Sequence, residues 1–491
     1  MTRKAPSLAG RALLALVLMF GFYALALGLC ATLGWLCWLD WHEGRRVHPK
    51  LWLFAAITVG VVLWSVFPRR ARMDDPGVPL TRQQAPRLWR MIEEIAGKAN
   101  QPLPKHVFLV PEINAFVAQR NSWLGFGGER ILGIGLPLLQ VLTVPETKAV
   151  LAHEFGHFHG GDTRLGPFLY KVHAAMARTI VNLKQADSPV HKPFEWYGLL
   201  FLRLTNAISR AQEFAADALS VRLVGLAPAQ SALQRVGQVG PLFDAYLERE
   251  YFPVLNRGLR PPMIAGFATF LGSTRIRQAQ VEIGEEAMQA RGNPYDTHPP
   301  LPQRLAAAAE VDEAGPERSE GPVGTTLLDG LPALEDAVLK FLTGKGDVLK
   351  VPKGDWADTG ALFAGQWRDL TKDLAPGLEP STVAELPRWL AELESFAKKV
   401  AKDVPAEQRR NFGAWCLGAM LGSALVQGGW RAVTGPGEPV LVERDGDRLD
   451  PLQLANEVVA GKLAATAWRE LCERLGIGAL PLTGPAAAPK A

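Results

Sequence analysis

The sequence has little of what marks a secreted scaffold or a nucleic-acid-binding protein. Only four of its 491 residues are cysteine, too few for a disulfide framework, and their positions give no zinc-type pair spacing. The 53 basic and 49 acidic residues leave a formal net charge of +4, which is too balanced to indicate a nucleic-acid partner. A mean hydropathy of +0.05 excludes a chain made mostly of membrane spans. With 48% hydrophobic and 21% charged residues, most of the chain is expected to form packed, soluble domains.

The N-terminal part is the exception, because it holds two long runs without charge. Residues 12–39 contain no charged side chain, and residues 51–67 form a second, shorter apolar run. A membrane-spanning helix needs about 20 apolar residues, so the pair predicts a two-helix transmembrane anchor over residues 12–67. A cleaved signal peptide is the alternative, but the first run is longer than an h-region of about 7–15 residues. Four tryptophans gather at one end of the pair, as in an interfacial belt: Trp35, Trp38, Trp41 and Trp52.

Basic residues are more numerous on the two outer flanks of this hairpin than in the loop between its runs. Under the positive-inside rule, both ends of the hairpin lie in the cytoplasm. This predicts a cytosolic tail over residues 1–11 and a cytosolic soluble part, attached to the inner membrane of a bacterium-like cell. An exported topology stays open because the charge bias is modest.

The rest of the chain divides into two predicted soluble domains. Residues 68–81 form a linker, residues 82–310 a first domain, and the Gly-, Pro- and Glu-rich residues 311–324 a second linker. Residues 325–480 predict a mostly helical C-terminal domain, whose role in substrate recruitment, regulation or oligomerisation is open, and residues 481–491 a loose tail. The predicted fold class is α+β and mostly helical, with a small sheet in the first domain.

Local patterns predict the elements of these domains. In the first domain, apolar runs bounded by turn residues predict strands at 106–110, 113–118 and 131–135, and helical patterns cover 82–99 and 143 to about 226. In the second, helical patterns lie near 327–343, 380–402, 405–427 and 451–475. A hairpin is predicted to turn at Asp445-Gly446.

The apolar run 415–430 allows two interpretations. Gly418 and Gly422 have the small-x-x-x-small spacing of a packed membrane helix, which would make a third span. The run is only 16 residues long and has arginines on both sides, so a buried helix is favoured.

The clearest chemical pattern lies in TVPETKAVLAHEFGHFHGGD, residues 143–162. Thr143 and Glu146 form a capping box and Gly160-Gly161 a stop signal, which predicts one helix over residues 144–159.

Two histidines of this helix, His153 and His157, are four residues apart and therefore share a face. Two imidazoles at that spacing can bind one zinc ion. Glu154 beside them is placed to take a proton from water at the metal. The alternative is a chance HExxH string on an ordinary helix, so the pattern needs a third ligand.

A second helical segment, residues 207–220 (AISRAQEFAADALS), offers that ligand. Catalytic zinc takes three protein ligands and leaves one position open, and two histidines with one glutamate are an established set. Glu213 fits this role, and Asp217, one turn further, is predicted to accept the other ring N–H of a zinc histidine. Alone, the two carboxylates would indicate a solvated helix face. With HEFGH they predict a site for one zinc ion per chain.

Residues 100–310 resemble the membrane-associated zinc metallopeptidases that include the HtpX-type heat-shock proteases and the CAAX prenyl (Ste24-like) proteases. The matching motifs occur in family order. They are Asn114-Ala115-Phe116, HEFGH followed by Asp162, the segment SRAQEFAAD with Arg210, and THPPLPQRL with His298 and Arg304.

The resemblance implies a zincin-like fold and a role for each matching position. His153, His157 and Glu213 would be the zinc ligands and Glu154 the general base. The strand with Asn114-Ala115-Phe116 would be an edge that holds an extended substrate by main-chain pairing. His298 would help to stabilise the oxyanion, although the residues alone indicate only a rigid turn before two prolines. Four further positions would support these groups: Asp162, Arg210, Asp217 and Arg304. The two arginines would do so by pairing with carboxylates.

The sequence also departs from the family pattern. HtpX-type members carry two further spans between the zinc helix and the helix of the third ligand. Here residues 196–208, interrupted by Arg203, are too short to span and are expected to pack on the core. The many-span chamber of the prenyl proteases is absent as well, which argues against lipid-modified substrates.

These observations predict a membrane-anchored zinc endopeptidase that cleaves peptide bonds with metal-activated water and a glutamate base. Anchoring and family resemblance favour membrane-associated or misfolded polypeptides as substrates, and hence protein quality control, with the lipid bilayer as a partner and no nucleic acid. Two alternatives stay open, a gated peptidase and a non-catalytic membrane-tethered interaction or sensor protein on the same fold. The oligomeric state is not predicted.

Overall fold

The computed structural model describes residues 8–43, 47–66, 74–120, 128–157, 166–375, 378–391, 396–397 and 405–483. Its contacts divide the chain into two compact units. Unit 1 comprises Met1–Gly240 and Gln280–Lys345, and unit 2 comprises Pro241–Ala279 and Gly346–Ala491. The described residues are mostly helical and contain two small sheets, so the predicted α+β class is confirmed.

The elements follow one another in this order. The α-helices are α1 (Leu8–Glu43), α2 (Pro49–Val66), α3 (Pro86–Lys98), α4 (Leu136–Val141), α5 (Val144–Gly156), α6 (Gly166–Gln185), α7 (His191–Leu223), α8 (Leu226–Tyr246), α9 (Phe252–Asn256), α10 (Met263–Gly272), α11 (Thr274–Gln289), α12 (Leu301–Ala309), α13 (Leu331–Thr343), α14 (Thr359–Leu374), α15 (Leu386–Ala391), α16 (Ala406–Gln427), α17 (Pro451–Val459) and α18 (Ala465–Leu475). The strands are β1 (Val78–Pro79), β2 (His106–Val110), β3 (Ala115–Arg120), β4 (Glu129–Gly135), β5 (Arg431–Val433), β6 (Leu441–Arg444) and β7 (Asp447–Leu449). A π-helical turn, Leu247–Tyr251, lies between α8 and α9.

Helices α1 and α2 are long and apolar enough to cross a membrane. Only 28% of the apolar span in α1 and 22% of that in α2 is buried, whereas a core helix of a soluble protein would be mostly buried. Asp40 joins the two helices by accepting hydrogen bonds from the backbone N–H of His48 (2.9 Å) and from Trp52 Nε1 (3.0 Å). The tryptophans at this end are exposed, and the rings of Trp41 and Trp52 lie 6.5 Å apart.

Helices α6 and α7 pack on this hairpin. Phe22 of α1, Met176 of α6 and Phe201 of α7 belong to one buried apolar cluster. The stretch 196–208, expected to pack on the core, is the middle of α7, and it contacts these helices on one face only. Its other face is open, since Trp196 is 80% exposed. The apolar residues of this stretch occur on both faces, so one packing surface cannot bury them all.

The sheet of unit 1 has the strand order β1-β2-β4-β3. Strand β2 has its predicted bounds and pairs in parallel with β4, while β3 pairs antiparallel with β4. The strand predicted at 113–118 begins two residues later, at Ala115, because Asn114 is part of the turn that leads into it. This topology makes β3 an edge strand of the described sheet.

Helix α5 begins at the predicted capping box. The Thr143 backbone N–H donates to Glu146 Oε2 (2.8 Å), and Thr143 Oγ1 accepts from the Glu146 backbone N–H (3.3 Å). The described helix ends at Gly156, with His157 as its C-cap, before the predicted end at residue 159. Residues 158–165, including Asp162, lie outside the described residues.

Helices α5 and α7 cross in close contact at Gly156. A Cβ atom on Gly156 would lie 2.7 Å from the Ala216 Cα, so glycine is needed for this approach. The Ser220 hydroxyl, one turn beyond Ala216 on α7, donates to the Ala149 carbonyl (2.7 Å) and joins the same two helices.

The segment 311–324, predicted as a linker, lies within unit 1 along α5 and the end of α7. The Val144 backbone N–H donates to the Pro322 carbonyl (2.8 Å), and that of Glu317 donates to the Val224 carbonyl (2.9 Å). Lys148 Nζ also lies 2.5 Å from Glu317 Oε1. Backbone hydrogen bonds therefore hold a segment whose composition indicates a loop.

Unit 2 is built around α16, which confirms the buried-helix interpretation of residues 415–430. Leu417 and Met420 of α16 are fully buried in one cluster with Trp468 of α18. The predicted hairpin is present as β6 and β7, with Asp445 (φ 53°) and Gly446 (φ 93°) in the left-handed region that a two-residue hairpin turn requires. The helical pattern at 451–475 consists of two helices, α17 and α18.

Candidate metal centre

The side chains predicted as metal ligands meet where α5 and α7 cross. The Nε2 atoms of His153 and His157 are 3.2 Å apart. Glu213 of α7 lies with Oε2 at 3.6 Å from His153 Nε2 and Oε1 at 3.5 Å from His157 Nε2. Residues separated by more than fifty positions in sequence therefore present their donor atoms to one point.

A buried ion-pair network lies behind this cluster. Asp217 Oδ1 is 2.9 Å from His153 Nδ1, the ring nitrogen that faces away from the cluster. Arg304 of α12 donates to both carboxylate oxygens of Asp217, from Nε (2.8 Å) and Nη2 (2.7 Å). The same Nη2 lies 3.2 Å from Glu213 Oε2. One arginine thus balances two buried carboxylates with the two-pronged geometry that suits its planar group.

His298 approaches the cluster from the loop before α12. Its Nδ1 is 3.1 Å from Glu213 Oε1, and two-thirds of its side chain is exposed. Arg210 does not pair with Asp217 as suggested by the sequence, because its guanidinium is directed to loop carbonyls. It donates from Nη1 to the carbonyls of Pro294 (3.1 Å) and Asp296 (2.7 Å), which holds the loop that carries His298.

Glu154 lies beside the two histidines, and the ligand atoms of these three residues are within 4.8 Å of one another. Burial raises the pKa of Glu154 to about 7. Its carboxylate accepts a hydrogen bond from the backbone N–H of Val117 in β3. The carboxyl group therefore lies against the edge strand.

The three residues predicted to hold substrate lie at the start of β3. The Asn114 carbonyl accepts a hydrogen bond from the Gly135 backbone N–H (2.8 Å), which closes the turn into the strand. Ala115 and Asn114 line the same cavity as His153 and Glu154. Phe116 turns the other way, into an apolar cluster on the sheet.

The surroundings hold the predicted ligands in the forms that bind metal. Burial, with the neighbouring His153, lowers the pKa of His157 to about 4, so its ring is neutral at pH 7. Burial alone would raise the pKa of Glu213, but the His298 hydrogen bond and the charge of Arg304 bring it below its ordinary value. A neutral imidazole and an ionised carboxylate are the forms that coordinate zinc.

These residues fit a zinc ion. Donor atoms at about 2.0–2.1 Å from one tetrahedral zinc are about 3.3 Å apart, close to the 3.2 Å between the two histidine nitrogens. Glu213 approaches each nitrogen through a different oxygen, Oε2 at 3.6 Å from His153 and Oε1 at 3.5 Å from His157. Glu213 Oε2 is buried, and although Arg304 Nη2 lies 3.2 Å from it, it accepts no well-aligned hydrogen bond among the described residues, which leaves it able to face a metal.

A polar stripe on α7 contains a site residue that the sequence reading missed. Asn206 Nδ2 donates to the Tyr295 carbonyl (2.6 Å) and helps Arg210 to hold the His298 loop. Four polar residues of α7 are spaced alternately by four and three positions, which places them on one helix face: Asn206, Arg210, Glu213 and Asp217. Continuing that spacing upstream from Arg210 would have found Asn206, whereas nothing local to the sequence indicates the Val117 contact.

A helix with His153 and Glu154, followed at its C-cap by His157 and crossed by a helix with Glu213, is the arrangement expected of an HExxH metallopeptidase site. Comparison with known proteins agrees with this class. Residues 82–312, a little less than half of the chain, match the model described as Peptidase family M48. These residues are similar to a zinc metallopeptidase domain, and the chain is a metallopeptidase.

Curated relatives support the same assignment. A "Protease HtpX homolog" of Arthrobacter sp. (strain FB24) is 28% identical over 317 residues, which cover 61% of this chain and 95% of the relative. "Protease HtpX" of Idiomarina loihiensis is 32% identical over 31% of this chain and 57% of its own length. A "Protease HtpX homolog" of Trichormus variabilis is 32% identical over 32% of this chain and 59% of its own. No solved structure matches the chain significantly.

Proposed function

We propose that the chain is a membrane-anchored, zinc-dependent endopeptidase that holds one zinc ion between His153, His157 and Glu213. The observation that carries the proposal is the convergence of these side chains, with the two ring nitrogens 3.2 Å apart and Glu154 beside them. The match of residues 82–312 to Peptidase family M48 supports the reaction class.

His153, His157 and Glu213 would hold the zinc ion, which would supply a Lewis acid for the peptide carbonyl and lower the pKa of water toward about 7. Glu154 takes a proton from the attacking water while the water oxygen bonds to the carbonyl carbon. Glu154 then gives this proton to the amine nitrogen of the leaving group as the C–N bond breaks. Burial raises the pKa of Glu154 above that of an exposed carboxyl group, which favours uptake of the proton from water.

The neighbouring residues position these groups. His298 is proposed to donate a hydrogen bond to the oxyanion, and its hydrogen bond with Glu213 raises its pKa, which favours the protonated ring. Asp217 orients His153, and Arg304 balances the charge of Asp217. Arg210 acts through the loop that carries His298. Asp162 stays a predicted supporting residue.

The substrate is proposed to bind as an extended polypeptide along β3. An edge strand has free backbone groups that can pair with another strand, and Asn114 and Ala115 begin this edge inside the cavity that contains Glu154. Pairing there brings the main chain of the substrate to the metal centre, with Phe116 fixing the strand from the sheet side.

The anchor is proposed to keep this site at a membrane, with the catalytic domain in the cytosol. The two exposed apolar helices and the excess of basic residues on their outer flanks support this arrangement. Membrane-associated or misfolded polypeptides would then be the substrates within reach, which is the basis for a role in protein quality control.

The test is to measure zinc and casein cleavage in the detergent-purified protein. We expect about one zinc per chain, cleavage that stops when a chelator removes zinc, and recovery when zinc is restored. His157→Ala is expected to lose zinc, whereas His191→Ala, at the start of α7, serves as the matched control. Zinc without cleavage would favour a gated peptidase or a non-catalytic sensor, and failure to bind zinc would contradict the site.

A further inference from the structure

A cavity in unit 2 has no part in the proposed function. It has a volume of about 640 Å³, a size in the usual range for ligand sites, and all of its lining residues belong to unit 2. Its walls come from the π-helical turn, the start of α11, α14, the loop between β5 and β6, and α17. It shares no described lining residue with the cavity at the metal centre, and most of its lining lies beyond residue 312, where the family match ends. The unit 2 cavity is therefore a separate candidate site.

Part of the lining of this cavity is apolar and fixed in place. The Trp356 indole N–H donates to the Pro262 carbonyl (2.9 Å), and the Trp356 ring lies 6.0 Å from that of Tyr246. Val254 and Phe363 add apolar surface to the same lining. An apolar group gains free energy when it leaves water for such a surface, and a surface that is already ordered loses little freedom on binding. This part of the lining favours a ligand with apolar side chains.

Three of the four carboxylates in the lining accept hydrogen bonds from unit 2 itself. Asp450 accepts from the Gln453 backbone N–H (2.9 Å), and Glu457 accepts from Gln453 Nε2 (2.7 Å). Glu250 accepts from the Gly437 backbone N–H. These carboxylates are therefore stabilised without a ligand.

The basic side chains of the lining lack such partners. Those of Arg249, Arg275 and Lys462 make no hydrogen bond and no ion pair with another described residue. Arg275 affects Glu250 only through its charge, and Glu438, the fourth carboxylate, is exposed. A guanidinium group can bind a carboxylate through two parallel hydrogen bonds. The lining therefore provides donors for an anionic group of a ligand.

Neutral polar groups of the lining favour a peptide over a simple anion. The exposed Asn456 amide on α17 lines the cavity, and such an amide can both donate to a main-chain carbonyl and accept from a main-chain N–H. Inorganic phosphate would use the arginines but would leave the apolar lining uncovered. The last residues of a polypeptide present a carboxylate, main-chain amides and side chains together, and a polypeptide is the partner that a peptidase implies.

We propose that the unit 2 cavity binds the C-terminal end of a polypeptide whose last residues are apolar. Arg249 and Arg275 pair with the terminal carboxylate, and the apolar side chains lie against Trp356 and Phe363. The site recruits substrates to the enzyme. That role rests on the proposed endopeptidase function, whereas the binding itself requires no cleavage.

The experiment measures fluorescence anisotropy of labelled short peptides with full-length, zinc-loaded Glu154→Gln protein in detergent, and mass spectrometry verifies that the peptides stay intact. One peptide ends in Leu-Phe with a free carboxylate, the second is its C-terminal amide, and the third ends in Ser-Gly with a free carboxylate. The first is expected to bind about tenfold or more tighter than either of the others. Arg249→Gln and Arg275→Gln, each added to this protein, are expected to remove most of the difference between acid and amide, because each loses a charged donor.

The matched control is Arg277→Gln, since Arg277 is also an exposed arginine of α11 and does not line the cavity. It should bind all three peptides as the parent protein does, and thermal unfolding verifies that each variant is folded. Equal binding of acid and amide, or a difference that persists in both folded cavity variants, would overturn the assignment. Displacement of the Leu-Phe peptide by inorganic phosphate as readily as by its unlabelled form would also overturn it and indicate a simple anion site. Absence of casein cleavage by zinc-loaded wild type would instead contradict the proposed function and the recruiting role, and would leave the binding results unaffected.

Discussion

At the scale of one residue, the contacts of Asp217 predict that a group outside the predicted ligands affects metal binding. It contacts His153 Nδ1 at 2.9 Å and accepts two hydrogen bonds from Arg304. Removing it frees the histidine ring to turn and leaves the arginine charge beside the ligands. We expect Asp217→Ala to weaken zinc binding about 10–100-fold, measured by competition with a fluorescent chelator. Asp217→Asn, which keeps the size and one acceptor, should lose less. Equal affinity in wild type and Asp217→Ala would contradict this role.

Glu250, in the π-helical turn of unit 2, predicts a pH dependence of stability. Burial raises its pKa to about 7, although the Gly437 backbone N–H and the charge of Arg275 favour the carboxylate. The pKa of an exposed glutamate is about 4.3, so the folded state binds this proton more tightly than the unfolded state. The contribution of Glu250 to stability is therefore most favourable at low pH and is lost as pH rises through about 7.

Glu250→Gln removes the charge and keeps an oxygen for the Gly437 N–H. We expect it to raise the free energy of unfolding by about 1–3 kcal/mol at pH 8 and by less at pH 5. Denaturant unfolding of both proteins at the two pH values measures the difference. An effect of equal size at both would show that this carboxyl group does not titrate differently on folding.

The sequence was informative for site residues whose spacing lies within one helix. His153 and His157 on α5, and Glu213 and Asp217 on α7, were singled out because i and i+4 positions share a face. Residues that depend on tertiary contacts were harder to assign. The bonds of Arg210 to loop carbonyls and that of Val117 to Glu154 arise only when distant segments meet, and no local pattern specifies them.

At the scale of elements, the crossing of α5 and α7 brings the predicted ligands together. We expect Gly156→Ala to force the helices apart, because the new Cβ would lie 2.7 Å from the Ala216 Cα. The expected cost is about 1–3 kcal/mol of unfolding free energy, together with weaker zinc binding, because Glu213 moves with α7. Thermal unfolding in excess chelator and a zinc titration measure the two effects separately.

Gly97→Ala is the control for Gly156→Ala, because its Cβ position is open. It should stabilise the protein by about 0.5–1 kcal/mol through helix propensity alone. Gly156→Ala with the stability and zinc affinity of wild type would show that the helices can separate without cost.

Sequence patterns predicted elements well where local signals were strong. The bounds of β2, the turn at Asp445-Gly446 and the capping box of α5 agree with the structure, because apolar runs, turn residues and caps are short-range signals. The lengths of the helices were harder to predict. The helix expected near 207–220 is the end of α7, which begins at His191, because packing on α1 and α6 stabilises its first half.

For the whole molecule, the apolar face shared by α6 and α7 predicts dependence on the N-terminal helices. Val172 and Phe194 are buried in one cluster with Phe22 of α1 and Val62 of α2. Deleting residues 1–66 would expose this cluster to water. We expect the shortened protein to aggregate without detergent and to become monodisperse when detergent is added, as seen by size-exclusion chromatography with light scattering. A monodisperse shortened protein in plain buffer would contradict a stable helical cluster around the anchor.

The division into two units was not predictable from composition. Residues 241–279 belong to unit 2 and residues 311–324 to unit 1, although the second stretch has a linker-like composition. Composition reports local solvation and turn propensity, whereas unit membership depends on which distant segments pair. Two backbone hydrogen bonds of residues 311–324 are such pairings: Pro322 accepts from Val144, and Glu317 donates to Val224.

The central claim is that Glu154 acts as the base at a zinc site, and Glu154→Gln tests it most directly. Glutamine keeps the size of the side chain and an oxygen for the Val117 N–H, but it cannot take a proton. Zinc content and casein cleavage are measured together in the wild type and the variant, purified in the same detergent. The account predicts about one zinc per chain in both proteins, and cleavage about 100-fold or more slower in the variant. Zinc-loaded Glu154→Gln that cleaves casein as fast as wild type would contradict it.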